Sequence, residues 1–265
     1  MALTDAGDRS RKSEPDQPWR NPTFGELFRR PLPGLGLLDR ALMRGVGYFV
    51  LPSFSAIRGL EHVRSDLDPF VLALNHSTRF EAMALPALLL YHRKGRHVHF
   101  LADWNFQMIP GIGLLYRRSG AIVVMRKSAR PRFLNALKPF YAHAEPSHER
   151  ALKHLKAGRS VGIFPEGTVN RDPERLLRGR LGAARLSLEA GVPVVPGGIR
   201  LVSGEARRPR YELILGAPLT PAVRSAPTIA RADVRDWHAV IMSEIARLSG
   251  KAWEPLPQEP RHGTP

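Results

Sequence analysis

Short apolar runs bounded by Gly, Pro or polar residues recur through the middle of the chain, at Phe70 to Leu74, Val98 to Leu101, Ala121 to Met125, Val161 to Phe164, Val192 to Ile199 and Tyr211 to Leu215. Their length and β-rich content predict strands. Three further stretches carry helical spacing. One starts near Ser147, read as an N-cap, carries Leu152 and Leu155, and stops at Gly158, which suits a left-handed C-terminal position. A second spans Arg180 to Ala190 and ends at Gly191, just before Pro193. The last begins near Thr228 and sets Val234, Trp237, Ile241, Ile245 and Leu248 on one face. Strands alternating with helices predict an α/β fold, a single domain with a mostly parallel central sheet flanked by helices. In such a sheet, chemistry belongs at the carboxyl ends of the strands.

The flanks read differently. Residues 1–21 are too polar to offset the entropy of ordering and lack the apolar stretch of a secretory signal, so they are predicted to be a disordered lead with no signal peptide. Residues 254–265 are Pro-rich and predict a flexible tail. Residues 22–60 are predicted to be an N-terminal helical segment, and 61–253 the main domain. Between Leu35 and Ile57, Arg40 and Arg44 interrupt apolar clusters. A helix lying in a membrane interface and an ordinary helix packed on the domain both fit that pattern. No apolar run of about 18 residues escapes interruption by charge or Pro, so no transmembrane helix is predicted.

Composition then narrows the chemistry. The chain has 265 residues, 43% of them hydrophobic, enough for a substantial core. It has no Cys, which excludes disulfides, a Cys nucleophile and thiolate metal sites, and leaves His, Ser and carboxylates to do chemistry. Lys and Arg number 40 against 24 Asp and Glu, a net charge of +16 that points to an anionic partner. Of the 40 basic residues 33 are Arg, and compositional bias accounts for much of the excess equally well. The arginines are dispersed, with no zinc-ligand pattern, aromatic-glycine motif or continuous basic helix, so neither nucleic acid nor a metal site is expected.

Candidate chemistry sits directly after predicted strands. The first place is Asn75-His76-Ser77-Thr78-Arg79-Phe80-Glu81. A His and a Glu five apart lie about 140° apart on a regular helix, so they meet only if His76 occupies the turn that opens it. The carboxylate would then fix one imidazole nitrogen and leave the other as a general base; a capping or surface pair is the competing reading. The second is Phe164-Pro165-Glu166-Gly167-Thr168, where Pro and Gly make a rigid turn around Glu166. The third, Gly120 to Lys127, ends in Arg126 and Lys127 and continues to Arg130 and Arg132. A phosphate site and a solvated basic loop fit it equally. Gly158-Arg159-Ser160-Val161-Gly162 matches the Gly-x-Ser-x-Gly pattern of serine hydrolases, but a nucleophile elbow needs a strand before the Ser and a helix after it, and the predicted order is the reverse.

Taken in order, these segments resemble the glycerolipid acyltransferase family of 1-acyl-sn-glycerol-3-phosphate acyltransferases. The family's His-x4-Asp block is matched by His76 to Glu81, its Gly-x-Ile-Phe-Ile-x-Arg block by Gly120 to Arg126, its Phe-Pro-Glu-Gly-Thr block by Phe164 to Thr168, and its Val-Pro-Ile-Val-Pro block by Val192 to Pro196. The resemblance runs from about Phe70 to Pro218. It implies a glycerol-3-phosphate acyltransferase-like fold and O-acyltransferase activity in phospholipid biosynthesis. The acyl group would pass from acyl-CoA or acyl-carrier protein to a hydroxyl of a lysophospholipid or glycerol phosphate acceptor, with no acyl-enzyme and no other cofactor. It assigns His76 as base with Glu81 behind it, Arg126 to the acceptor phosphate, Glu166, Gly167 and Thr168 to the acceptor, and Arg180 as a further cation. It also implies peripheral work on the cytoplasmic side of a membrane with an anionic surface as partner. Glu81 departs from the family's Asp, and Val169 and Asn170 from its usual Arg and Ser, with Arg171 as a substitute cation. The alternative is an acyltransferase-like module that binds anionic membranes or nucleic acid without catalysis.

Overall fold

Four consecutive apolar residues, Val71–Leu74, are buried on both sides, which requires a strand in the middle of a sheet covered on both faces. The structure, a computed structural model, describes residues 19–109, 111–125, 128–129, 131–142, 144–202, 210–222 and 229–255. In chain order its elements are α1 (Phe24–Arg29), α2 (Leu37–Val50), β1 (Phe54–Arg58), β2 (Val71–Leu74), α3 (Glu81–His92), β3 (His99–Asp103), α4 (Ile112–Arg118), β4 (Ile122–Val124), α5 (Lys138–Tyr141), α6 (Ser147–Lys156), β5 (Val161–Ile163), α7 (Gly182–Ala190), β6 (Val194–Val202), β7 (Arg210–Leu215) and α8 (Arg231–Ser249). Short 3₁₀ turns at Trp104–Met108 and Arg132–Leu137 precede α4 and α5.

The described strands form one sheet in the order β1-β7-β6-β2-β5-β3-β4. Every neighbouring pair is parallel except β6 with β7. Side-chain alternation sends Leu72 and Leu74 of β2 toward Leu85, Leu88 and Leu89 of α3, and Val71 and Ala73 toward Leu155 of α6, Leu186 of α7 and Ile241 of α8. Helix α8 lies directly on β6, because a Cβ at Gly198 would come within 2.2 Å of the Leu248 carbonyl carbon. Helix α3 is apolar around most of its circumference and contains Pro86, which cannot donate to the Ala82 carbonyl one turn back. The buried Tyr116 hydroxyl points at that carbonyl, 3.4 Å away.

The six predicted strands correspond to β2 through β7, with boundaries shifted by a few residues. Strand β1 was not anticipated, so residues 22–60 hold two helices and a strand. Ser147 is the first residue of α6, and Pro146 occupies its N-cap. Gly158 and Gly191 adopt the expected left-handed conformation, with φ of 71° and 65°. Helix α7 starts at Gly182, after Arg180. Thr228, residues 1–18 and residues 256–265 lie outside the described residues.

Three half-buried histidines meet where β3 packs on α6. The ring of His99 lies 4.1 Å from that of His154 and 6.0 Å from that of His97. Burial lowers their pKa values from the usual 6.5, reinforced by His99 for His97 and His154, which fall to about 4, and by Arg159 and Arg93 for His99. Each stays neutral in the fold at a pH where the unfolded chain binds a proton, so stability falls as pH drops from 6.5 toward 4. The unfolding temperature, followed by circular dichroism, is therefore expected to be lower at pH 5 than at pH 7. His154→Gln should narrow that gap, and a gap unchanged by the substitution would contradict the assignment.

Candidate active site

The end of β2 is continued by a side chain. Asn75 is fully buried; its Oδ1 accepts from the Ile199 N–H at 2.7 Å, and its Nδ2 donates to the Ile199 carbonyl at 2.9 Å and to Ser77 Oγ at 3.1 Å. It thus extends the β2–β6 ladder by one step after the last backbone pair, Leu74 with Gly197. The chain leaves the strand at His76, whose place is fixed from both sides of its backbone. Its N–H donates to Glu166 Oε1 at 2.9 Å and its carbonyl accepts from the Asn170 N–H at 2.7 Å.

Glu81 is the first residue of α3 and folds back over the turn before it. Its Oε2 accepts from His76 Nδ1 at 3.1 Å and from the Ser77 N–H at 2.9 Å, and its Oε1 accepts from the Thr78 N–H at 3.1 Å. The carboxylate is 2% exposed. With two backbone donors on it, it acts as an acceptor, so Nδ1 carries the proton and Nε2 is the bare nitrogen. The ring also stacks on Phe164, with centroids 4.3 Å apart. Because Glu81 reaches back from the first helical position, the methylene it adds relative to Asp is taken up in this turn.

Glu166 is 5% exposed, and its second oxygen accepts from the Leu177 N–H at 2.9 Å and from Asn170 Nδ2 at 2.7 Å. Asn170 Nδ2 also donates to the Arg175 carbonyl, and its Oδ1 accepts from the Asp172 N–H. Gly167 has φ +67°, and a Cβ there would meet Arg180 Nε at 2.6 Å, so only Gly lets the arginine cross this turn.

A cavity of about 1690 Å³ opens beside His76, lined also by Gly167, Thr168 and Arg180. Its lining combines apolar side chains, Met83, Pro86 and Leu90 of α3 with Phe100, Phe106 and Leu115, with the cations Arg79, Arg171 and Arg180 and the carboxylate Asp103. Among the described residues, none of these three arginines pairs with a carboxylate. Four of the expected site residues therefore reach one cavity, His76, Gly167, Thr168 and Arg180. Glu81 stands behind His76, and Glu166 holds its backbone without lining the cavity. Arg126 lies outside the described residues. Sequence spacing carries no signal for Asn75, whose partner Ile199 is distant in the chain, and the local bonds of Asn170 to Glu166 and Arg175 do not reveal that its N–H also holds the distant His76 carbonyl. Arg79 lies inside the first block, but nothing local marks it as facing the cavity.

Ser160 is at the other end of the sheet, just before β5. It is fully buried, donates to Asp68 and accepts from the Phe70 N–H at 3.1 Å. Asp68 in turn holds Arg93 and Arg96, each at 2.6 Å. The helix-then-strand order around Ser160 is the reverse of a nucleophile elbow.

Residues 55–200, more than half of the chain, match the family model described as Acyltransferase. A chloroplastic 1-acyl-sn-glycerol-3-phosphate acyltransferase of Brassica napus is 31% identical over 140 residues, covering 53% of this chain and 35% of that protein. A lyso-ornithine lipid O-acyltransferase of Pseudomonas aeruginosa is 34% identical over 98 residues, 37% of this chain and 32% of that protein. The chain thus spans about a third of the length of these relatives. The crystal structure of the 1-acyl-sn-glycerophosphate acyltransferase PlsC from Thermotoga maritima has a similar fold, with a TM-score of 0.54, 18% identity and 81% of each chain covered.

Asn75→Ala would leave the buried N–H and carbonyl of Ile199 without partners, at a cost of roughly 2–3 kcal/mol. Urea unfolding should show this as a lower midpoint with an unchanged slope. A loss below about 0.5 kcal/mol would mean that the β2–β6 junction does not depend on this side chain.

Proposed function

The chain belongs to the acyltransferase family, and we propose that it moves a fatty acyl group from a coenzyme A or acyl-carrier-protein thioester to a hydroxyl of a lysophospholipid or glycerol phosphate. The observation that carries this reading is the His76–Glu81 pair, with the ring nitrogen opposite Glu81 left without a partner among the described residues at a cavity lined by both apolar and cationic side chains. Nε2 takes the proton of the acceptor hydroxyl as its oxygen attacks the thioester carbonyl carbon. The carbon–sulfur bond then breaks, and the leaving thiolate recovers the proton from the imidazolium. Glu81, bonded to Nδ1, stabilises that imidazolium. No covalent acyl-enzyme is needed, consistent with a chain that has no Cys.

The cavity exceeds the ~300–1,000 Å³ of an ordinary small-molecule site, as two lipid-sized reactants require. Its apolar lining residues suit the acyl chain, and Arg79, Arg171 and Arg180 suit an anionic headgroup. These cations make up for the family arginine that Val169 replaces. Arg126 is kept as an acceptor-phosphate residue on the resemblance of its block. Gly167 and Thr168 shape the acceptor side, and Glu166 acts through the backbone of His76.

Work on lipid acceptors calls for peripheral contact with an anionic membrane surface, here on its cytoplasmic side. Phe24, Phe28, Leu37, Leu38, Tyr48 and Phe49 of α1 and α2 are exposed. Phe24 stacks on Phe28 at 4.3 Å and meets Tyr48 at 5.7 Å, and Tyr48 meets Phe49 at 5.4 Å, so the aromatic residues form one cluster. Such a surface suits a bilayer interface. Among the described residues no helix is long and apolar enough to cross a membrane.

Purified protein should consume acyl thioester when offered lysophosphatidic acid, glycerol 3-phosphate or lyso-ornithine lipid, and at least one acceptor should be turned over. His76→Ala should reduce that turnover on the order of 10³-fold while its circular dichroism melt stays unchanged. Undiminished turnover would remove His76 as the base. Arg180→Ala should raise KM for a phosphorylated acceptor roughly 10- to 100-fold, with a smaller effect on kcat. An unchanged KM would show that Arg180 does not bind the acceptor.

A further inference from the structure

Between positions 126 and 144 the chain carries five Lys and Arg and no Asp or Glu. Part of that stretch, the 3₁₀ turn Arg132–Leu137 running into α5, has two distinct sides. Leu134 and Tyr141 pack inward on the buried cluster of Trp104, Val123 and Ala129, with the Tyr141 and Trp104 rings 5.9 Å apart. One position earlier in each case, Phe133 is 74% exposed and Phe140 83%, and Leu137 between them is exposed too. Arg132 and Leu134 line the cavity, so this outward apolar row stands at its rim.

Two phenylalanines held out from an anchored segment expose more apolar surface than a water-facing rim needs. Arg132 and Lys138 within an outward row of aromatic and aliphatic side chains give the pattern of an element that lies in a membrane interface. We propose that Arg132–Tyr141 is a membrane-contacting element separate from α1 and α2, which seats the mouth of the cavity on an anionic bilayer so that a lipid acceptor enters without crossing water. The proposal rests on the lipid-acceptor reading of the site. An acidic carrier protein would be drawn by the same charge, but the exposed phenylalanines favour the bilayer, since docking by charge alone has no use for them.

The full-length chain and its Phe133→Ser/Phe140→Ser variant are compared in co-sedimentation with vesicles of phosphatidylcholine alone and of phosphatidylcholine with phosphatidylglycerol. Neither phenylalanine lines the cavity. The wild type should bind the anionic vesicles, and the variant should bind them on the order of tenfold or more weakly. The variant should also keep the wild-type melt and wild-type turnover of a short-chain, water-dispersed lysophospholipid, while losing turnover of acceptor embedded in vesicles. Lys138→Glu should weaken binding to anionic vesicles and leave the weaker binding to neutral ones unchanged. Equal vesicle binding by variant and wild type would overturn the proposal, as would a wild type that binds no vesicle. Equal vesicle binding with a selective loss of acyl-carrier-protein thioester as donor would overturn it in favour of carrier docking. If the variant loses vesicle binding but neither protein turns over any acceptor, the docking surface stands and the acyl-transfer reading fails.

Discussion

The backbone of His76 is bonded on both sides to the turn that follows the neighbouring strand, and the rest of the site depends on that connection. Strands β2 and β5 are adjacent and parallel, so their carboxyl ends open on the same edge of the sheet and bring His76 beside Phe164 and Glu166. Glu166 receives the His76 N–H, and Asn170 donates its own N–H to the His76 carbonyl. With the backbone held, Glu81 has only to orient the ring. A loop leaving the centre of a buried sheet has few alternative paths, which is why a short segment can hold an imidazole in one orientation.

The charge of the chain takes on structure once the cavity is located. Among the described residues, Arg79, Arg171 and Arg180 at the cavity have no carboxylate partner, whereas Arg93 is buried in the Asp68–Ser160 network at the opposite end of the sheet. The first group is available to an anion, and the second holds the fold together. A cation left without a carboxylate at a cavity wall is ready to bind an anionic headgroup and has no partner to displace first. Apolar residues of α3 and these cations line the same cavity as His76, which under the proposed reaction would put the reacting atoms where a lipid changes from tail to head.

Much of this was legible in the sequence because it is local. The buried runs of β2 and β5, the glycines at 158 and 191, and the meeting of His76 with Glu81 all follow from spacings of a few residues. What escaped is long-range. Strand β1 follows α2 almost at once and pairs with β7 about 150 residues away, so no alternating pattern or turn announces it. The bond from the His76 N–H to Glu166 spans 90 residues, and the one from Asn75 to Ile199 spans 124. Asn170 drew notice only as a departure from a family pattern, yet its side chain joins the Glu166 clamp to the Arg175 carbonyl. Glu166 likewise reads from the sequence as a residue presented by a turn, and its burial and three donors become visible only when the two strand ends are seen together.

Which nitrogen of His76 is free to accept a proton decides whether the residue can serve as the proposed base. Nitrogen-15 NMR of imidazole-labelled protein, with the His76 signals assigned by their loss in His76→Ala, reads this directly. At a pH where the ring is neutral, the account predicts the tautomer with the proton on Nδ1 and Nε2 bare. A ring protonated on Nε2 would contradict it, because the nitrogen facing the cavity would then have no lone pair to offer an acceptor hydroxyl.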